Sequence, residues 1–131
     1  MDEKDLRRWF SEYLEAFAAC CLGRADASSL LAYYGVPILL TLDAAYLALT
    51  SAEQVVATLE PQVEGLRAAQ YARSETLELG VTALNAKSAL LRGTFSRRRA
   101  DGSEINRVTA TYLVTDGAPG RRISVLAVES A

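Results

Sequence analysis

From residue 75 onward the chain alternates apolar and polar side chains in long runs broken by turn residues, and no other feature constrains the fold as much. A period of two belongs to strands with one covered face. ETLELGVTAL sets Leu77, Leu79, Val81 and Ala83 on one face and Glu78 and Thr82 on the other. SALLRGTFSRRR then runs into Asp101-Gly102, a two-residue hairpin signal that would set Arg99 opposite Glu104. INRVTATYLVT, the turn DGAPG and RRISVLAVES complete the series. The pattern predicts three or four long antiparallel strands.

The first third of the chain repeats at a different period. Leu6, Trp9/Phe10, Tyr13/Leu14, Phe17 and Cys20/Cys21 recur at helical spacing across residues 4 to 21, and Gly23 is a stop signal. Asp26 is placed to cap a short second helix from Ala27 to about Tyr33, ended by Gly35 and Pro37. VPILLTL then reads as a buried strand, with AYLALT as its hairpin partner across Asp43-Ala44. Ser51-Ala52-Glu53-Gln54 resembles a capping box at the head of a long helix with Val55/Val56, Leu59, Val63, Leu66 and Ala69 inward. Pro61 inside that helix should kink or split it. Helices grouped ahead of an antiparallel sheet indicate an α+β architecture with the helices on one face.

The totals exclude several classes of function. The 131 residues suit a single domain, and a net charge of −2 with 23% charged residues does not suggest a nucleic-acid or membrane partner. MDEKDLRRWF has no apolar core and does not read as a signal peptide, so a cytoplasmic location is expected. There is no histidine, which removes Ser-His-Asp and Cys-His nucleophiles and His-based zinc sites within this chain. Cys20 and Cys21 are adjacent on a helix and point about 100° apart, which reads as two free packing thiols. Phosphate-loop, dinucleotide and metal motifs are absent, so neither a metal nor a cofactor is expected.

The aromatic helix WFSEYLEAF, LLAYYGVP leading into a strand, the capped helix from TSAEQ, and FSRRRADG, VTATYLVTDG and RRISVLAV along the final strands together resemble the nuclear transport factor 2-like superfamily. That superfamily includes ketosteroid isomerases and SnoaL-like cyclases, and the resemblance covers nearly the whole of residues 1–131 as one domain. It implies a cystatin-like cone: helices packed on a curved antiparallel sheet, an apolar pocket at the open end, and frequent dimers. Carried over residue by residue, an isomerase base would fall at about Leu42, next to Asp43, whose one-residue offset in a strand turns it to the opposite face. The phenol donor would fall at Phe17, with Tyr13 one turn earlier, and the protonated acid would fall near Thr111.

The expected site is therefore an apolar pocket formed by Tyr13, Phe17, Tyr34, Leu42, Tyr46, Phe95 and Thr111 or Tyr112, binding a small hydrophobic or aromatic molecule. Asp43 and Tyr13 are the candidates for proton transfer should the pocket catalyse an isomerase, cyclase or dehydratase reaction. Of the paired tyrosines, one is expected to plug the core and Tyr34 to sit at the pocket rim. If the threonine face of INRVTATYLVT looks into the cone, the Val108, Ala110, Tyr112 and Val114 face is convex; the reverse puts Tyr112 in the cavity. An apolar convex face points to a homodimer through the sheet, and a structural partner-binding role is the remaining reading. The arginines from Arg97 to Arg99 read as solvated strand ends, with an arginine at the pocket mouth that recruits an anion as the alternative.

Overall fold

A computed structural model describes residues 1–130 of the chain. Helix α1 spans Glu3–Cys21, followed by a 3₁₀ helix at Ala27–Ala32, strands β1 (Tyr34–Thr41) and β2 (Tyr46–Leu49), and helix α2 (Ala52–Ala68). Four strands follow: β3 (Tyr71–Asn85), β4 (Ser88–Arg99), β5 (Glu104–Gly117) and β6 (Gly120–Ser130). They form a six-stranded sheet in the order β2-β1-β6-β5-β4-β3. Among the described residues only β1 and β6 pair in parallel; the other neighbours are antiparallel. The cystatin-like α+β architecture expected from the sequence is present.

Both long helices start where their capping residues allow. The Asp2 carboxylate accepts from the Lys4 N–H at 3.0 Å. Ser51 Oγ accepts from Gln54 N at 3.2 Å, while Gln54 Oε1 reaches back to Thr50 N at 2.7 Å, one residue earlier than in a strict capping box. The buried stripe of α1 is Leu6, Phe10, Tyr13, Phe17, Cys20 and Cys21, and that of α2 is Val55, Leu59, Val63 and Leu66. Contrary to expectation, Pro61 neither splits nor ends α2. Pro61 and Ala57, whose carbonyl loses its N–H partner, are both exposed, so water can serve that carbonyl.

Three other expectations are corrected by the backbone. β1 is not buried throughout: Tyr34 and Ile38 face inward, Val36 and Pro37 are exposed, and Leu42 lies beyond the strand. Leu77 falls at a register irregularity between Thr76 and Glu78, so the regular alternation of β3 breaks there and Leu77 is exposed. Arg99 does not oppose Glu104. The β4–β5 loop contains three residues, Ala100-Asp101-Gly102, with Arg99 N bonded to Ser103 O at 2.9 Å and Gly102 N to Arg99 O at 3.0 Å. Gly102 takes φ 90°, a conformation that favours glycine, and Arg98 becomes the partner of Glu104.

The two faces of the sheet are distinct. Ala89, Leu91, Phe95, Ala110, Tyr112, Val114, Ile123 and Leu126 turn toward the helices and complete the core. The Val/Tyr face of β5 is thus the covered face, and Thr109 and Thr111 lie on the bare outer face. This is the second of the two orientations considered from sequence.

Candidate functional site

The helix-facing side of the sheet gathers the aromatic residues that the sequence singled out. Tyr13 and Phe17 arrive on α1 one turn apart, Tyr34 at the start of β1, Phe95 on β4 and Tyr112 on β5. All five are buried, and Phe10 completes the group. Ring centroids are 5.5 Å apart for Tyr13 and Tyr34, 5.9 Å for Tyr13 and Tyr112, 4.9 Å for Phe10 and Tyr112, and 6.2 Å for Phe10 and Phe95. Edge-on and tilted contacts of this kind stabilise beyond simple area burial. Tyr34 is therefore part of the core and not a rim residue; Tyr33 is the outer ring of the pair, half-buried at 5.5 Å from Trp9.

Polar chemistry inside this cluster consists of phenols. Tyr13 and Tyr34 share a hydrogen bond between their hydroxyls, and the Tyr112 ring stands edge-on beside Tyr13. Burial raises all three phenols above their ordinary range, reinforced by their mutual proximity, while Arg97 opposes the shift. Arg97 belongs to the inner face because it follows Phe95 by two residues on β4, and its guanidinium stands 5.3 Å from the Phe17 ring centroid. Alternation along β4 held the signal for this placement.

The other candidates lie elsewhere. Leu42 is 42% exposed and Tyr46 is 68% exposed, both on the β1–β2 hairpin, and Asp43 is exposed between them. Thr111 is on the outer face, where its hydroxyl accepts from Arg92 Nη1 at 3.1 Å. The structure brings Tyr13, Phe17, Tyr34, Phe95 and Tyr112 together and leaves Leu42, Asp43, Tyr46 and Thr111 apart from them. Beside the cluster, between α2 and β1, the apolar walls of Tyr34, Ile38, Leu49, Val55 and Leu126 enclose about 20 Å³. That is room for about one water molecule.

A much larger space lies at the end of the cone where α1 and α2 finish. This groove of about 810 Å³ has Cys21 and Tyr71 at its floor, with Leu22, Arg24, Arg67 and Arg99 around them. Burial pushes the Cys21 thiol up to about 11, leaving it neutral at pH 7 even though Arg97 and Arg67 pull the other way. Sequence reasoning did not connect these residues, because they come from the end of α1, the end of α2 and the β4–β5 turn.

A family model described as NTF2-like protein (DUF6841) matches residues 2–131. The chain belongs to that family. No curated protein matches it. Among solved structures, a Nostoc punctiforme domain of unknown function with a cystatin-like fold is similar at TM-score 0.72 and 17% identity, over 99% of this chain and 77% of that one. A Xanthomonas campestris protein named for the calcium/calmodulin-dependent protein kinase II association domain is similar at TM-score 0.73 and 13% identity, over 100% of this NTF2-like chain and 89% of its own. The yeast Ubp3-associated protein Bre5 is similar at TM-score 0.72 and 15% identity, over 96% and 93% respectively. Identities this low establish the shared fold of the NTF2-like chain. Among its described residues, no helix is long and apolar enough to cross a membrane.

Proposed function

We propose that this NTF2-like chain is an association domain that pairs with a second copy of itself through the outer face of its sheet and acts by binding. One observation carries the reading. Leu39, Val125, Leu113 and Leu90 stand in register on four neighbouring strands, β1, β6, β5 and β4, and form an aliphatic row across the face that the helices leave bare. All four are half-buried in the single chain. Contiguous apolar surface of this kind favours association, and a twofold pairing sets the same row against itself. Arg92 and Glu129 flank the row, 2.8 Å apart and more than half exposed, so two copies can exchange these charges without burying an unpaired one. The names of two structural neighbours, one an association domain and one an associated protein, agree with a role in assembly.

The apolar-pocket reading meets a cone whose aromatic side chains pack on one another, with about 20 Å³ left beside them. A proton-transfer role for Asp43 meets its exposed position on the β1–β2 hairpin. Pairing is tested by sedimentation equilibrium on the intact chain and on Leu113→Arg. The chain should sediment at twice its 14.2 kDa mass. Leu113→Arg should sediment at the single mass while keeping a cooperative thermal transition. A wild-type chain that stays monomeric throughout the micromolar range would refute the proposal.

A further inference from the structure

The groove at the end of the cone has a charge opposite to that of the whole chain. The protein carries a net charge of −2, yet Arg24, Arg67 and Arg99 line this space and Arg97 lies just beneath it, close enough to act on both Cys21 and Tyr71. The one carboxylate among its described lining residues, Asp101, is turned to its own loop, accepting from Ser103 N at 2.9 Å and Ser103 Oγ at 2.7 Å.

Two of these guanidiniums are held in place by the helix ends. Arg67 Nη2 donates to Cys20 O in the last turn of α1 at 2.9 Å, and Arg99 Nε donates to Ala69 O, the C-cap of α2, at 2.9 Å. Helix C-termini attract cations, so the anchoring follows from the two helices ending side by side. Each guanidinium has five N–H groups, so one backbone bond leaves others for a ligand. Arg67 spends a further group on exposed Glu64 at 3.3 Å, and Arg99 another on Ser103 Oγ at 3.3 Å. The Arg24 side chain is exposed and forms no hydrogen bond or ion pair with the other described residues, while its backbone N–H donates to Ala19 O at 2.8 Å.

Between these cations the surface is mostly apolar. Leu22, the Tyr71 ring, Ala72 and Ala100 contribute to it beside Gln70, and the Cys21 thiol stays neutral. A bare inorganic anion would use the arginines and leave this surface wet, whereas a neutral apolar molecule would leave the guanidiniums without a partner. A volume of about 810 Å³ lies within the range of small-molecule sites. We propose that this groove binds a small organic carboxylate with a ring-sized apolar body, its carboxylate held by Arg24 and Arg99 and its ring lying against Tyr71 and Leu22. Guanidinium and carboxylate match in geometry and charge. The site is separate from the outer sheet face and does not depend on pairing.

Calorimetric titration of the intact chain with phenylacetate, neutral phenylacetamide and inorganic phosphate tests the site. Phenylacetate should bind saturably and more weakly as salt is added, and phenylacetamide and phosphate should each bind at least about tenfold more weakly. Arg24→Gln and Arg99→Gln should each raise the phenylacetate Kd by about tenfold, the loss expected for one charge-assisted hydrogen bond. Arg24→Gln carries the test if Arg99→Gln fails to fold, since the Arg24 side chain bonds no other described residue. No saturable phenylacetate binding, equal affinity for acid and amide, phosphate binding as tight as phenylacetate, or a Kd unchanged in Arg24→Gln would each overturn the proposal.

Discussion

The hydroxyls of Tyr13 and Tyr34 are bonded to each other inside the core, where both residues are buried. Tyr13 also meets the Tyr112 ring on the opposite wall edge-on, with centroids 5.9 Å apart. A helix and the first strand are thereby tied together by a polar contact inside an apolar cluster, with the fifth strand packed against it. Such groups are costly when left unpaired and contribute modestly when satisfied.

Tyr13→Phe and Tyr34→Phe should therefore cost about the same, since each deletes one oxygen and takes from the remaining hydroxyl its side-chain partner. We expect losses of about 1–3 kcal/mol for each, and a double variant less damaged than the sum. Urea unfolding of the three variants supplies the cycle. Losses that simply add in the double variant would show that the two hydroxyls do not act as a pair.

Stability should hold level through neutral pH and fall in alkali. Burial raises Tyr13, Tyr34, Tyr112 and Tyr71 above 10.0 and Cys21 from 9.0 to about 11, so the folded chain keeps protons that the unfolded chain releases. The unfolded state then binds fewer protons, and the unfolding free energy declines as pH rises past the unfolded thiol and phenol values. Asp101, Glu104 and Asp116 carry the opposite sign: hydrogen bonds from Ser103, Ser96 and Arg121 lower them, so their stabilisation is present above their ordinary values and lost in acid. With no histidine in the chain, the melting temperature should be flat between about pH 5.5 and 8.5 and should drop above about 9. Tyr34→Phe should flatten the alkaline limb. A transition in melting temperature near neutral pH would contradict this assignment.

The parts of this fold legible from sequence are those encoded by a local period. The stripe from Leu6 to Cys21 and the alternation along β4 and β5 need no knowledge of the rest of the chain. What the period cannot carry is the effect of one extra residue. The register shifts at Leu77 on β3, and on β6 it shifts where Val114 pairs with Ile123 and Leu113 with Val125, changing which residues face each other. The β4–β5 turn contained three residues where Asp101-Gly102 suggested two, and Arg99 lost Glu104 as a partner. The choice of inner face on β5 was open for a related reason: both faces carry side chains that tolerate burial, and only the position of the helices decides between Tyr112 and Thr111. The aromatic cluster was partly visible because its members are apolar at covered positions. The arginine groove was not, because residues 21–24, 67–72 and 99–101 become neighbours only when two helix ends and a turn converge.

Gly93 is a position where a single methyl group should do harm. It lies in the middle of β4, paired with Leu79 on one side and Ala110 on the other, and the Phe95 ring folds back over it. A Cβ on residue 93 would lie 2.5 Å from Phe95 Cζ and 2.9 Å from Cε2, closer than such atoms approach. The ring cannot swing away freely, since it packs against Phe10 with centroids 6.2 Å apart in the closed core. Gly93→Ala should therefore destabilise by about 1–3 kcal/mol through overpacking, despite the better strand propensity of alanine. Gly93→Ala combined with Phe95→Leu should recover part of that loss, because a smaller side chain at 95 removes the obstructing ring edge. Thermal and urea unfolding of the single and double variants measure both effects. If Gly93→Ala is neutral, or if Phe95→Leu only adds to its cost, the ring does not occupy the space that glycine leaves.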